Sequence, residues 1–429
     1  MRIIADLHVH SRFSRATSEK MNIEEIARFA KIKGLTLVGT GDFSHPKWFK
    51  EITQGLTEVE GTGLYKPARD PESPIHLMIT NEVSTIFTYE GSNKKIHHVI
   101  LSPNLETAAQ INDRLAKYGN LSIDGRPMLN ITAPQLVEEV MQVSPENEVF
   151  PAHAWTPWFS VFGAFSGFDH IEDCYQDMAK YVHALETGLS SDPPMNWRLS
   201  TLDKYTLVSN SDSHSGWPWR LGREANVFEL EKLTYREILN TIRQKDSERF
   251  KFTIETDPAY GKYHWTGHRD CHVSMSPQEA IKFGNICPVC RRRLTKGVEQ
   301  RVEELADRPP GFKPANVIGY MHLLPLSEII QTVLGAASPS AQSVWGVYNK
   351  LIAGFGDEYS VLIDASLDMM AKIVDARVAE AIVRVRKGQV RVTPGYDGVY
   401  GQLVLFENDQ PQKKEKQPAR QQKNLTDFM

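Results

Sequence analysis

The sequence predicts an α/β fold, a seven-stranded βα barrel, on three observations. Seven short segments read as apolar strands: Ile3 to His10, Leu35 to Asp42, Ile75 to Glu82, Lys95 to His98, Glu148 to His153, Ala184 to Glu186 and Tyr205 to His214. Most of them end in a side chain able to bind a divalent metal. Helical stretches separate them from Met1 to about Asp257, and that alternation marks α/β architecture. Ligands delivered from many strand ends fit a parallel barrel, whose carboxyl ends converge on one rim. A doubly wound sheet would gather its site at one switch point.

The elements follow in order. Asn22 is placed to cap a helix over Ile23 to Lys33, apolar at three and four spacing, with Gly34 as its stop; Leu35-Thr36-Leu37-Val38 resumes as strand at once. Residues 1–257 form the barrel. Between 258 and 311 the pattern breaks into Gly, His, Cys and Pro and closes on Arg308-Pro309-Pro310-Gly311, the composition of a small module with a linker. Residues 312–406 are mainly helical in pattern, including a periodic stretch from Leu367 to Ile382. From Glu407 to Lys423 the chain is rich in Gln, Lys, Pro and Asn, too polar to order itself, and 407–429 is expected to be a flexible tail with an apolar tip.

At 429 residues with 41% hydrophobic content, the chain is long enough for two or three domains with ordinary cores. Its formal charge of −4 argues neither for nor against nucleic acid. No apolar run is long enough to span a bilayer, and Met1-Arg2-Ile3-Ile4 leads into the first strand rather than a signal peptide, so an intracellular, cytoplasmic protein without a membrane partner is expected. Of the four cysteines, Cys271, Cys287 and Cys290 lie in one stretch while Cys174 stands alone. That spacing favours a metal over disulfides.

His8 and His10, at i and i+2 on a strand, face the same way and can reach one ion. Asp212 and His214 repeat the geometry. With Asp42, Glu82, His98 and His153, all following apolar runs, they make a polynuclear metal site the leading expectation. Clustered divalent ions suit phosphoester hydrolysis without a covalent protein nucleophile. Asp192, in Gly188-Leu189-Ser190-Ser191-Asp192-Pro193, could orient water or protonate a leaving group; it reads equally as an ordinary turn Asp before Pro.

Asp6-Leu7-His8-Val9-His10-Ser11, Gly39-Thr40-Gly41-Asp42, Glu82, His98, Pro151-Ala152-His153 and Asn210-Ser211-Asp212-Ser213-His214 resemble the successive motifs of the PHP (polymerase and histidinol phosphatase) superfamily. The resemblance implies a distorted (β/α)7 barrel with two or three divalent ions (Zn2+, Mg2+ or Mn2+). His8, His10, Glu82 and Asp212 would hold one ion, Glu82 would bridge to a second held by His98 and His153, and His214 would serve a third. His8, His10 and Asp212 are thereby the expected catalytic centre with Asp192. Many members carry Thr-Asp-His where this chain has Thr40-Gly41-Asp42, and His45 is the candidate to replace the missing nitrogen.

His268-x2-Cys271-x15-Cys287-x2-Cys290 pairs close ligands across a loop, the arrangement of one structural Zn2+ site. His264 and His272 are alternatives for its histidine, and Arg291-Arg292-Arg293 beside it could meet phosphate. Trp155 and Trp158 follow His153, and Trp217 and Trp219 follow His214. Aromatic residues are most often core, but this placement also fits walls that stack on an extruded base. Leu367 to Ile382 resembles a helix-hairpin-helix only in outline, since Val374-Asp375-Ala376 stands where a glycine turn is usual; a packed helix pair is the simpler reading.

Gln422, Leu425, Phe428 and Met429 resemble the box by which repair and replication proteins dock on the sliding clamp (PCNA), with Met429 where a second aromatic is usual. In order of modules as well as motifs, the chain resembles the endonuclease Q family. That resemblance implies a nucleoid-associated DNA repair endonuclease that nicks on the 5′ side of deaminated bases (uracil, hypoxanthine, xanthine) and of abasic sites. Two other functions use some of the same features: a small-molecule phosphatase of the histidinol-phosphate type, and a non-catalytic DNA scaffold.

Overall fold

In a computed structural model, which describes residues 1–406, the strand Arg2–Asp6 lies at the centre of a mixed sheet. It is buried from Ile3 onward, as an apolar run covered on both faces should be. It pairs in parallel with Leu37–Gly39 and antiparallel with Ala225–Glu229. Leu37–Gly39 continues in parallel to His76–Tyr89. On the other side Ala225–Glu229 leads to Phe250–Glu255 and then to Gly319–His322. The helix between the first two strands, Ile23–Lys33, is bounded as its sequence requires. The Asn22 side chain accepts from Glu25 N at 2.9 Å, and Gly34 ends it at φ +92°. Only glycine fits there, because a Cβ would also collide with the Asp357 carboxylate.

The barrel is distorted by one long hairpin. His76–Tyr89 turns back at Glu90-Gly91 into Ser92–Ser102, with Tyr89 opposite Ser92 and Ile79 opposite Ser102. Glu90 and Gly91 both have positive φ, the geometry of a two-residue turn that matches strand twist. Two residues cannot carry a parallel crossover, which needs a dozen or more, so the expected all-parallel order is corrected here to a mixed one. Ser92–Ser102 pairs antiparallel with Glu148–Pro151, Ala184–Glu186 pairs in parallel with Thr206–Val208, and a parallel bridge from Val9 to Ser213 closes the circuit. The strands are also displaced from the expected segments: the first ends at Asp6, the second at Gly39 and the last at Val208, so several ligand residues sit in loops just beyond the strands.

Alternate residues of these strands, among them Ile3, Ala5, Leu7, Met78, Val99, Leu101, Phe150 and Val208, form one buried cluster. They fill the lower barrel with hydrocarbon and leave the upper end to polar groups.

The module at 258–311 has a small core of its own, Met275, Ala280, Cys287 and Leu294. The region from 312 onward is less separate than its composition implies. Gly319–His322 is an edge strand of the barrel's sheet, and the hairpin Arg391–Thr393 with Gln402–Val404 returns to the module, where Gly395 N donates to Ala259 O and Trp265 N to Gly395 O. The periodic stretch after Leu367 is two helices, Leu367–Ala371 and Ala376–Arg386, the second capped by Asp375: the packed pair. Among the described residues no helix is long and apolar enough to cross a membrane. The tail residues Gln422, Leu425, Phe428 and Met429 lie outside the described residues.

A buried ion pair ties the helical region to the barrel. Lys33 Nζ meets Glu358 Oε1 at 2.7 Å with both side chains essentially inaccessible. Lys33 also donates to Pro218 O, and Glu358 accepts from Leu326 N and Tyr348 OH. With those lone pairs satisfied the pair is tolerable; one partner alone is not. Lys33→Met is therefore expected to cost about 3–5 kcal/mol in urea unfolding, and a loss below about 1 kcal/mol would contradict this anchoring.

Candidate metal centre

Each functional side chain at the top of the barrel is delivered by a loop or strand whose position the sheet fixes. His8 and His10 follow Arg2–Asp6. Their loop is held by Asp6, which accepts from Ser211 N, Ser211 Oγ and Gly222 N, and by Asn210, which accepts from Leu7 N. The same contacts position Asp212, and Arg223 donates twice to Ser211 O. Glu82 lies within the strand His76–Tyr89, so the hairpin carries it over the barrel mouth.

The side chains converge in two groups that share Glu82. His8, His10, Glu82 and Asp212 have donor atoms within 4.8 Å of one another, as do Glu82, His97 and His153. Glu82 Oε2 lies 3.3 Å from His8 Nε2 and 3.0 Å from His10 Nε2, and Oε1 lies 2.9 Å from His97 Nδ1 and 3.2 Å from His153 Nε2. Asp212 Oδ1 is 3.0 Å from His10 Nε2 and 3.7 Å from His8 Nε2.

The histidines are oriented from behind. His8 Nδ1 meets both Glu186 oxygens at 3.1 and 3.0 Å, His10 Nδ1 meets Asp42 Oδ1 at 2.9 Å, and His153 Nδ1 meets Thr156 Oγ1 at 3.0 Å. A carboxylate or hydroxyl on one ring nitrogen fixes the other as a metal donor. His8 Nε2 is buried with no hydrogen-bond partner despite its nearness to Glu82, so a ring nitrogen is aimed into the centre without a protein partner. This donor set fits divalent ions.

The carboxylates give the centre a surplus of negative charge that a bound cation would neutralise. Burial alone would discharge His8, but Glu186 and Glu82 outweigh it and hold its pKa well above the ordinary imidazole value; Asp42, Asp212 and Glu82 do the same for His10. Against burial, Arg126 and His8 hold Glu82 well below the usual carboxylate range. His97 is pushed down to about 3, chiefly by burial, and stays neutral, the state in which imidazole ligates a metal. Three residues at the centre, Asp42 (φ +51°), His153 (+30°) and Asp212 (+47°), adopt left-handed backbone without being glycine. Such strain costs about 1–3 kcal/mol each and gathers at functional sites.

Several expected residues stand elsewhere. His98 is turned away: Nε2 meets Thr85 Oγ1 at 2.9 Å and Nδ1 meets Tyr175 OH at 2.8 Å. The register is the reason. Glu82 is opposite Val99, so His97, two residues from Val99, shares the face of Glu82, while His98 shares that of Val83. Asp42 stands behind His10 and also accepts from Ser11 N, Ser11 Oγ and Ser14 Oγ, which leaves it an orienting role rather than a ligand's. His214 stacks on His10 at 4.3 Å and meets Thr17 Oγ1 at 2.7 Å; its Nε2 is 3.6 Å from Asp212, at the margin of the first group. His45 does not replace a nitrogen ligand, because it caps the helix Pro46–Gly55 and its Nε2 is 3.2 Å from Ser122 O.

Asp192 belongs to neither group; Oδ1 caps Pro193–Asn196 and Oδ2 meets His322 Nε2 at 3.0 Å. Trp155 is core, 1% exposed, with Nε1 donating to Asn196, so it cannot wall a base pocket. Trp158 and Trp217 are 43% and 42% exposed. Trp158 stacks on Phe165, and Trp217 on Trp219 at 4.9 Å and 10° between planes.

Glu186, Arg126 and His97 carry roles that the sequence did not assign. Arg126 Nη1 lies 3.0 Å from Glu82 Oε2; it comes from the loop Asp124-Gly125-Arg126-Pro127, which has no ligand pattern. In the module, His268, Cys271, Cys287 and Cys290 bring their donors within 4.8 Å of one another, with Cys290 Sγ 3.6 Å from His268 Nδ1. His268 is thus the histidine at this cluster rather than His264 or His272.

Metal content separates the two adjacent histidines. His97→Ala is expected to lose one equivalent of divalent metal in elemental analysis of purified protein, while His98→Ala retains the wild-type stoichiometry. The reverse pattern would contradict the register given above.

Among solved structures the chain is similar to the lesion-specific endonuclease PfuEndoQ of Pyrococcus furiosus, with 33% identity, a TM-score of 0.84, and coverage of 95% of this chain and 96% of that one. It is similar to an endonuclease Q complexed with a 27-mer duplex carrying an abasic lesion at the active site, with 33% identity, a TM-score of 0.83, and coverage of 95% and 97%. A protein of Methanocaldococcus jannaschii, uncharacterized protein MJ0043, is 35% identical over 273 residues, 61% of this chain. The chain spans only 32% of that relative's length. Residues 325–389, most of the helical region, match the family model described as the MJ0043 C-terminal domain. With a third of its residues identical and both chains covered almost end to end, the chain belongs to the endonuclease Q family.

Proposed function

We propose that the centre hydrolyses a DNA phosphodiester on the 5′ side of a damaged nucleotide: a deaminated base (uracil, hypoxanthine or xanthine) or an abasic site. The observation that carries this reading is Glu82, a buried carboxylate common to two ligand groups, in a chain whose full-length structural relatives are lesion-specific endonucleases. When bound, divalent ions supply Lewis-acid polarisation of the phosphate and a water acidified toward neutral pH. His8, His10, Glu82 and Asp212 would hold one of them, and Glu82, His97 and His153 another, as Zn2+, Mg2+ or Mn2+, with His214 beside the first group. A structural Zn2+ would sit at His268, Cys271, Cys287 and Cys290, a four-donor set of the kind that folds small modules.

The protein's own groups orient these donors and exclude water from behind them. Glu186 and Asp42 fix the rings of His8 and His10. Asp192 is assigned to proton handling through His322, whose pKa is raised because Asp192 outweighs its burial, so the pair could protonate the leaving oxygen. A lesion weakens stacking, so extruding its nucleotide costs less. Trp158 with Phe165, and Trp217 with Trp219, offer exposed rings on loops that follow His153 and His214. These are the faces proposed to receive bases; Trp155 is not among them.

End-labelled duplexes with a single uracil, hypoxanthine, xanthine or abasic site, incubated with Mg2+, Mn2+ or Zn2+, should be nicked 5′ to the lesion and left intact by chelation. Hydrolysis of free phosphomonoesters without any nick would instead establish a small-molecule phosphatase. Binding without cleavage would establish a scaffold. Trp158→Ala and Trp217→Ala are each expected to weaken lesion-DNA binding about tenfold or more, the stacking of one base; unchanged affinity and lesion preference in both would remove these rings from the pocket.

Gln422, Leu425, Phe428 and Met429 are proposed to dock on the sliding clamp (PCNA). Deleting Gln422 to Met429 should abolish clamp pull-down and leave intrinsic nicking unchanged.

A further inference from the structure

Arg126 is the cation nearest the centre of the donor set, and its present partner is one that a bound metal would claim. Its Nη1 reaches the Glu82 oxygen that also faces His8 and His10. The side chain is 25% exposed while Glu82 is fully buried, so the guanidinium lies between the buried carboxylate and the open mouth. Among the described residues, Nη1 is the guanidinium nitrogen with a protein hydrogen bond, which leaves Nη2 and Nε as donors for a ligand.

The loop that carries Arg126 is pinned at both ends. Gly125 N donates to Phe13 O at 3.0 Å, and Ser84 N donates to Pro127 O at 2.9 Å. Gly125 packs so closely on Asp42 and Ser14 that any Cβ there would collide with both. Asp42 orients His10, so the backbone before Arg126 is registered directly against the centre. Such rigidity suits a group that must meet a reacting atom at a set place.

We propose that Arg126 is a catalytic residue that binds the non-bridging oxygens of the scissile phosphate. The argument is one of charge. Glu82 and Asp212 in the first ligand group, with Glu186 and Asp42 behind its histidines, carry four negative charges; two divalent ions would match them and leave the guanidinium without a counter-charge. A fixed cation beside such ions is repelled unless an anion arrives. A guanidinium presents a planar fork of donors that matches phosphate in two parallel bonds. Arg126 makes and breaks no covalent bond; it contributes charge and orientation as negative charge builds on the phosphate. This inference rests on the phosphoester reading of the centre but not on the choice of DNA as substrate.

Inorganic phosphate is the probe, titrated calorimetrically into metal-loaded wild-type protein, Arg126→Met and Arg126→Lys, with metal content measured on each sample. Arg126→Met is expected to keep its metals and to bind phosphate at least about tenfold more weakly, with Arg126→Lys between the two. In nicking assays its kcat should fall more than its KM rises. If Arg126→Met fails to fold, Arg126→Gln, which retains a hydrogen bond to Glu82, takes its place. Equal phosphate affinity in wild type and variant, no phosphate binding by wild type, or loss of metal from the variant would each overturn the assignment. Loss of phosphate affinity in the variant while wild type nicks no DNA would leave Arg126 in its role and reject the DNA reading alone.

Discussion

A single buried carboxylate organises the upper end of this barrel. His8 and His10 approach one oxygen of Glu82 together with Arg126, and His97 and His153 approach the other. A carboxylate with no exposure costs several kcal/mol unless cations and donors surround it, and here they arrive from four separate segments of the chain. The interaction therefore joins segments remote in sequence and sets the spacing of both ligand groups. Removing the cations would leave an uncompensated buried charge; removing Glu82 would leave imidazoles facing one another with nothing between them.

The hairpin explains why Glu82 can occupy that place. Among the described residues its two strands are the longest, 14 and 11 residues, and the pairing brings Glu82 and His97 to the same face from adjacent strands. Below them the lumen is closed with hydrocarbon, from Leu7 to Phe150, so the polar groups have low-dielectric walls beneath and an opening above. Glu186 and Asp42 stand between these layers, each fixing a ring. Strained backbone at Asp42, His153 and Asp212 is held by this same network, through the serines around Asp42, through Glu186, which accepts from His153 N, and through Asp6, which accepts from Ser211 beside Asp212.

Much of this was legible in the sequence, and the rest was hidden for definite reasons. The i, i+2 spacing of His8 and His10 and the Cys287-x2-Cys290 knuckle announce their geometry locally, because one strand or one turn places both ligands. The zinc-type cluster formed with the expected histidine. The His97-His98 doublet is different: neighbours on a strand face opposite ways, and the choice depends on pairing across the hairpin. The signal was present in Glu90-Gly91, a two-residue turn that sets Glu82 opposite Val99 and so selects His97. Arg126 had no such signal, since it reaches the centre from a loop fixed by contacts with Phe13, Asp42 and Ser84. Trp155 was misleading because it is adjacent in sequence to a ligand yet lies on the inner side of its loop, where Asn196 satisfies its indole nitrogen.

The most direct test of a shared Glu82 is anomalous diffraction from crystals of the metal-loaded protein, measured across the absorption edge of the bound metal. Two peaks are expected, one bounded by His8, His10 and Asp212 and one by His97 and His153, each within about 2.0–2.2 Å of a Glu82 oxygen. Peaks that leave Glu82 unligated, or a peak bound to His98 in place of His97, would contradict the arrangement from which the rest is built.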